Sequence, residues 1–289
     1  MTRPSSPLFL LLLWLCAAAA ARAGMPVQVT VEPLAFLLER IGGDEVEVQV
    51  LVPAGRSPEG YDPSPKEMAR LANSCLWFRV RLPVEQALLE RVTAVNPALQ
   101  VVDLLEGLPL RPLPDAAGHP HPGEQWDPHV WTDPVLMKRL AARVRDVLGG
   151  RDPSAREVYA RNYQDLAREL DGLDRWIRQQ LAPYRDRAFM SFHPAWGYYA
   201  AAYDLRQLVI EQQGKSPSPR HLVELAELAR GEGVAGIVVQ PQHPQGPARA
   251  LARSLGLRVV VLDPLARDYL DNMRRVTRAL VELFRSGAR

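Results

Sequence analysis

Short apolar runs with extended-chain character alternate with helical patterns along most of this 289-residue chain. Valine, leucine and other apolar residues dominate each run, and turn or helix-start signals separate the runs. This alternation is typical of α/β folds, in which helices connect neighbouring strands of a parallel sheet. The runs that we predict to be strands are 27–32, 46–52, 76–80, 99–104, 187–192, 206–210, 235–240 and 258–262.

A single long helix is predicted between the fourth and the fifth strand. Ser154 and Glu157 match a capping box, and apolar residues then recur at spacings of three and four up to Leu181. Such a stripe covers about eight turns, or roughly 40 Å at 1.5 Å per residue. An ordinary long helix inside one domain is the alternative. We expect an α/β fold with two lobes of parallel sheet and flanking helices, joined by one long backbone helix. The predicted parts are an N-terminal lobe over 24–152, a linking helix over 153–183 and a C-terminal lobe over 184–289.

The first 23 residues have the pattern of a secretory signal peptide. Arg3 provides the positive charge, residues 8–20 the apolar segment, and the small residues up to Ala23 a cleavage site. A retained membrane anchor is the alternative, but the apolar segment is short for a bilayer span. Cys16 suggests a lipoprotein, although its preceding residues fit a lipid-attachment site poorly. We expect cleavage after Ala23 and a soluble periplasmic protein.

Charge and cysteine content limit the classes of partner. Without Arg3 and Arg22 of the leader, 33 basic residues balance 33 acidic ones. A balanced charge argues against binding to nucleic acid or to an acidic membrane surface. Only Cys75 remains after cleavage, so no intrachain disulfide forms and the fold depends on its apolar core.

Four candidate metal ligands lie near the carboxyl ends of predicted strands. His193 and Asp263 directly follow strands, Glu59 lies in the loop after the second strand, and His129 precedes a helix that begins at Pro134. Ligands of α/β sheets bind at the carboxyl ends of strands. Because each lobe contributes two of these residues, we expect a metal site in the cleft between the lobes.

Each candidate also has a structural explanation. For His129 and His193, the alternative is a buried histidine with a purely structural role in the core. For Asp263, the alternative is a turn residue before proline. For Glu59, the alternative is a solvated loop residue, in which case the metal has three protein ligands and a water molecule. Flanking proline and aromatic residues, including Trp131, favour ligation by the histidines.

Several short motifs together resemble those of the periplasmic zinc- and manganese-binding receptors of ABC importers. The motifs are Ser57-Pro58 with Tyr61-Asp62-Pro63-Ser64-Pro65, Asp127-Pro128-His129-Val130-Trp131, His193-Pro194-Ala195-Trp196-Gly197-Tyr198, Gly214-Lys215 with Pro217-Ser218, Gln240-Pro241-Gln242, and Asp263-Pro264-Leu265-Ala266. The resemblance extends over essentially the whole mature chain. It implies two lobes, a rigid linking helix, one divalent cation between the lobes and delivery to a membrane permease. Members of the family usually have histidine directly after the first Ser-Pro, where this chain has Glu59.

The predicted donor set bears on the identity of the metal. Glu59, His129, His193 and Asp263 would supply two nitrogens and two anionic oxygens, a set somewhat more favourable to manganese or iron than three imidazoles are. The affinity order of divalent metals nevertheless favours zinc, so we predict Zn²⁺ as the transported ligand, with Mn²⁺ or Fe²⁺ as alternatives.

Other functions are compatible with the same residues. A metal-dependent adhesin and a periplasmic zinc enzyme are the alternatives to a receptor. An enzyme would need an open coordination position and a nearby base, and the chain has no His-Glu-x-x-His motif. We therefore expect a monomeric receptor without catalytic activity.

The other histidines have less context. His119 and His121 lie in a proline- and glycine-rich segment that is either a plain linker or a metal-loading loop. His221 and His243 are interpreted as surface residues, with a cleft-facing position left open for His243.

Overall fold

The computed structural model describes residues 24–113, 126–211 and 216–287. The predicted leader, His119 and His121 lie outside these residues. The described part contains two four-stranded sheets in which every strand pairing is parallel. The predicted fold class is therefore confirmed.

The first sheet has the strand order β2-β1-β3-β4. Its strands are β1 (Met25–Val29), β2 (Val46–Val50), β3 (Leu76–Arg79) and β4 (Gln100–Asp103), and the helices between them are α1 (Glu32–Gly42), α2 (Pro65–Ala72) and α3 (Pro83–Val95). The central β1 ends earlier than predicted because α1 begins soon after it, with Pro33 in its first turn. Ser64 and Glu67 form a capping box at the start of α2, in which Ser64 N donates to Glu67 Oε2 at 2.7 Å.

Two long helices connect the sheets: α4 (Pro134–Arg151) and α5 (Arg156–Leu181). The carboxylate of Asp133 caps α4 by accepting a hydrogen bond from Val135 N at 2.7 Å. The predicted capping box of Ser154 is wrong, because residues 153–155 form a 3₁₀ turn and the N-cap of α5 is Ala155. Asp152 accepts the backbone hydrogen bond of Ser154 instead, and α5 begins one residue later than predicted.

The apolar stripe of α5 is buried as predicted. Its buried residues are Tyr159, Leu166, Leu170, Leu173, Ile177 and Leu181. They belong to one continuous apolar core that also contains buried residues from both sheets. Helix α5 contacts α1 and α4. Burying each such leucine stabilises the fold by about 1.5–3 kcal/mol, so α5 is fixed along its length.

The second sheet has the strand order β6-β5-β7-β8. Its strands are β5 (Ala188–Ser191), β6 (Arg206–Val209), β7 (Gly236–Val239) and β8 (Arg258–Val261), and its helices are α6 (Gly197–Ala202), α7 (Pro219–Gly231), α8 (Gly246–Leu255) and α9 (Tyr269–Ser286). Both central strands, β5 and β7, are buried throughout. Helix α9 packs against α5 and thereby connects this sheet to the long helix.

The two sheets are also linked directly by loop contacts. Trp131 Nε1 donates to Pro264 O at 2.8 Å, and the hydroxyl of Tyr269 donates to Trp131 O at 2.7 Å. On the surface, Arg267 pairs with Glu32 at 2.9 Å and with Glu39. Within the described residues, no helix has the length and apolar character that crossing a membrane requires.

Candidate metal centre

His129 is held rigidly at the end of a buried turn. Its Nδ1 lies 2.7 Å from Asp127 Oδ1, and its backbone N–H donates to the same oxygen at 2.9 Å. Its side chain is only 5% exposed, and Trp131 contacts its ring edge-on. Because an ionised carboxylate can only accept a hydrogen bond, Nδ1 carries the proton and Nε2 presents a lone pair.

Gly197 makes the position of Asp127 possible. A Cβ atom at residue 197 would lie 2.8 Å from Asp127 Oδ2, closer than such atoms approach in folded proteins. The hydroxyl of Tyr198 supports the same turn, since it donates to Asp127 O at 3.1 Å and accepts from Arg111 N at 3.0 Å. The small residue in the Trp-Gly-Tyr motif is therefore required by packing against Asp127.

His193 follows β5 and is oriented in the same way by a different carboxylate. Its Nδ1 lies 2.8 Å from Glu211 Oε1, and Gln240 holds its backbone on both sides, donating to His193 O at 2.8 Å and accepting from His193 N at 3.3 Å. Burial alone lowers the pKa of His193, but the hydrogen bond with Glu211 and the charge of Glu59 outweigh it and raise the pKa overall. The site thus favours positive charge at this imidazole.

The free nitrogens of the two histidines meet at one point. Nε2 of His129 lies 3.3 Å from Nε2 of His193, and Glu59 Oε1 lies 3.2 Å from the latter atom. A tetrahedral zinc ion with bonds of about 2.0–2.2 Å separates its ligand atoms by roughly 3.3–3.5 Å. At this distance the two nitrogens either share one proton in a hydrogen bond or bind one cation together. The three donors therefore have the spacing of a metal site.

The structure places Asp263 differently from the other three predicted ligands. Its Oδ1 accepts hydrogen bonds from Gln242 Nε2 at 2.7 Å and from Leu265 N at 2.8 Å. Asp263 follows β8, and β7 lies between β8 and β5. Two strand spacings are about 10 Å, so the start of this loop is displaced from that of His193. No described contact joins Asp263 to Glu59, His129 or His193, and its role as a ligand stays a prediction.

Two residues near the site had not been predicted to belong to it. One ligand atom from each of Glu59, His193, Glu211 and His243 lies within 4.8 Å of the others. Glu211 directly follows the predicted strand 206–210, so the strand-end rule that selected His193 and Asp263 also applied to it. His243 was interpreted as a surface residue with a cleft-facing position left open, and the structure shows the cleft-facing position.

The ring of His243 stacks on that of His193. The two ring centroids are 4.4 Å apart and the planes differ by 15°. Burial, together with the electrostatic influence of His193 and His129, lowers the pKa of His243 to about 3. Its ring is therefore neutral at neutral pH and keeps one nitrogen with a free lone pair.

Comparison with known proteins places this arrangement in a family. The family model of the zinc-uptake complex component A, periplasmic (ZnuA), matches residues 27–283. A solved structure of ZnuA superimposes with a TM-score of 0.83 at 33% sequence identity, covering 90% of this chain and 99% of that one. The match covers nearly all of the described residues, including both histidines.

Two curated relatives are more distant. The zinc-binding lipoprotein AdcA of Streptococcus pneumoniae is 26% identical over 255 residues, which are 83% of this chain and 50% of AdcA. The high-affinity zinc uptake system protein ZnuA of Bacillus subtilis is 25% identical over 248 residues, covering 83% of this chain and 78% of that protein. The chain thus spans half the length of AdcA and most of the Bacillus protein.

Proposed function

Because the chain belongs to the family of the periplasmic zinc-uptake component A, we propose that it captures a zinc ion and delivers it to the permease of an ABC importer. One observation supports this function most strongly: the Nε2 atoms of His129 and His193 lie 3.3 Å apart, with each opposite ring nitrogen held by a buried carboxylate. Carboxylate partners of this kind fix the tautomer of a metal-binding histidine and increase its basicity.

The proposed ligands are Glu59, His129, His193 and Asp263. Glu59 and Asp263 would neutralise the two charges of the ion, which lowers the cost of moving it from water into the cleft. The hydrogen bonds that Asp263 accepts from Gln242 and Leu265 resemble those that orient a ligating carboxylate. Ligation by Asp263 would require its loop to move toward the cleft.

We propose a carrier and not an enzyme. Four protein ligands leave no open coordination position on a tetrahedral zinc ion, and catalysis by zinc requires such a position. Both histidines are buried, and the ring of Trp131 packs against that of His129, so little of the site is open to water. The ion is then bound and released without chemical change.

The proposed domain division is the N-terminal lobe over 24–152, the linking helix over 153–183 and the C-terminal lobe over 184–289. Helix α5 and the Trp131–Pro264 hydrogen bond both connect the proposed lobes. We therefore expect a small tilt and loop rearrangement on zinc binding, not a wide hinge motion. We also propose export with cleavage after Ala23, which N-terminal sequencing of the secreted protein tests, and a monomeric state.

Metal analysis and titration test the function. The protein, freed of metal by a chelator, is titrated with Zn²⁺ and with Mn²⁺ in competition with a fluorescent chelator of known affinity. We expect one zinc ion per chain, bound much more tightly than manganese. His193→Ala should weaken zinc binding by more than about 100-fold, since it removes a ligand and not only its support. The matched control is His221→Gln, because His221 lies in α7 and outside the donor group. Equal zinc affinity of His193→Ala and wild type would refute the proposal.

A further inference from the structure

His243 is placed at the outer side of the metal centre. It lies in the loop between β7 and α8, it is half-buried, and its backbone N–H donates to Gln240 O at 3.3 Å. Phe192 flanks its ring at a centroid distance of 6.0 Å. Among the described residues, neither ring nitrogen of His243 has a hydrogen-bond partner. An imidazole without a protein hydrogen-bond partner at a half-exposed position is able to bind a cation that arrives from solvent.

The donors around the site form two overlapping groups. The inner group is His129, His193 and Glu59, with neighbouring atoms 3.2–3.3 Å apart. The outer group contains Glu59 and His193 together with Glu211 and His243, with ligand atoms within 4.8 Å of one another. Glu59 belongs to both groups and is itself part exposed, at 32%. Its carboxylate can therefore hold an ion in either position.

The stacking geometry separates the two positions. The rings of His193 and His243 are nearly parallel, at an interplanar angle of 15°, so their lone pairs lie in parallel planes and do not converge on one ion. The rings of His129 and His193 are steeply inclined, at 78°, and their Nε2 atoms do converge. His243 is thus a poor fourth ligand of the inner position and a suitable first ligand outside it.

We propose that His243 and Glu59 form an outer loading position, where the divalent cation binds first before it passes to His129 and His193. This inference rests on the proposed function as a zinc carrier. In the transfer, Glu59 keeps its bond to the ion while the imidazole of His243 is replaced by those of the inner histidines. No covalent bond of the protein changes. The ion leaves by the same route in reverse.

The proposal makes a specific kinetic prediction. A position that lies on the route in both directions accelerates binding and release equally, and it leaves the equilibrium affinity unchanged. Clefts that concentrate a charged ligand raise association rates by about 10–1,000-fold, so loss of His243 should slow both rates by roughly tenfold. A resident ligand would behave differently, because its loss weakens the affinity mainly through faster release.

The test is stopped-flow fluorescence of the full mature chain with Zn²⁺, with release followed by a chelator in excess. His243→Phe keeps an aromatic ring against His193, and His243→Asp restores a metal-binding group in the same place. We expect slower association and slower release for His243→Phe at a dissociation constant within about twofold of wild type, and recovery of both rates for His243→Asp. The control is His221→Gln, with unchanged rates.

Other outcomes overturn the loading position. Unchanged rates for His243→Phe would show that the ring only packs on His193, and weaker affinity with unchanged association would make His243 a resident ligand. Thermal unfolding of the metal-free variants verifies that each is folded. If wild-type protein itself does not bind zinc tightly, the proposed function fails, whereas a normal wild type with normal His243→Phe kinetics refutes the loading position alone.

Discussion

Replacing Glu211 by glutamine keeps the shape of the side chain and removes the charge that faces Nδ1 of His193. The carboxylate is almost completely buried, at 6% exposure, and its Oε1 lies 2.8 Å from this nitrogen. The glutamine oxygen still accepts the hydrogen bond, so the tautomer of His193 is preserved. Glu211→Ala removes the partner altogether, so Nδ1 and Nε2 can exchange the proton.

The size of the effect follows from the hydrogen bond that is changed. A hydrogen bond to a charged group contributes about 1.5–3 kcal/mol, and a neutral one about 1 kcal/mol. Zinc binding puts positive charge on the imidazole, so Glu211→Gln should cost about 1–1.5 kcal/mol, or roughly tenfold in the dissociation constant. Glu211→Ala should lower zinc affinity by about 10–100-fold, the usual range for losing the carboxylate behind a metal-binding histidine.

Zinc affinity is measured by competition with a chelator at neutral pH, and the stability of the metal-free variants by urea denaturation. The matched control is Glu227→Gln, which makes the same change on the exposed face of α7. The expected order of affinity is wild type, Glu211→Gln and Glu211→Ala, with the control equal to wild type. If both Glu211 variants bind zinc within about twofold of wild type, Glu211 does not support the ligand and the reasoning is refuted.

Three further changes test other parts of the site and the fold. Gly197→Ala should weaken zinc binding by roughly tenfold, because the new methyl group would lie 2.8 Å from Asp127 Oδ2 and displace the carboxylate that orients His129; affinity equal to wild type would show that Asp127 is not needed in that place. Asp263→Asn should weaken zinc binding by at least about tenfold if Asp263 is the fourth ligand, and unchanged affinity in the same chelator competition would remove it from the ligand set. Glu85 is fully buried, and burial raises its pKa from 4.5 to about 7, so the folded state binds this proton more tightly than the unfolded state does. The free energy of unfolding should then decrease as the pH rises from 4.5 to 7, and Glu85→Gln, which does not titrate, should gain on the order of 3 kcal/mol relative to wild type across this interval. Urea denaturation of the metal-free proteins at several pH values measures the difference, and a pH-independent difference would contradict the assigned pKa.

The fold could be predicted closely because local patterns determine its elements. Each of the eight predicted strands is present, with ends within a few residues, since runs of β-branched residues between helix caps leave little choice. The predicted start of α5 was wrong because Asp152 and Ser154 are both potential capping residues in the sequence. In the structure, the side chain of Asp152 caps this turn by accepting from Ser154 N.

The candidate site was predictable only in part because it depends on strand order. His129 and His193 have proline and aromatic neighbours that mark a rigid turn, and this signal is local. The proximity of Glu211 and His243 to His193 arises because β5 lies between β6 and β7 in the sheet, so their loops flank that of His193. Strand order depends on tertiary packing, and a pattern of apolar residues in one sequence does not specify it.

The central claim is that one zinc ion binds where the free nitrogens of His129 and His193 meet. Anomalous diffraction at the zinc edge, on crystals of the protein loaded with one equivalent of Zn²⁺, tests it most directly. The account predicts a single strong peak about 2.0–2.2 Å from both Nε2 atoms and from a carboxylate oxygen of Glu59. A peak elsewhere in the molecule, or one in contact with only one of the two histidines, would contradict it.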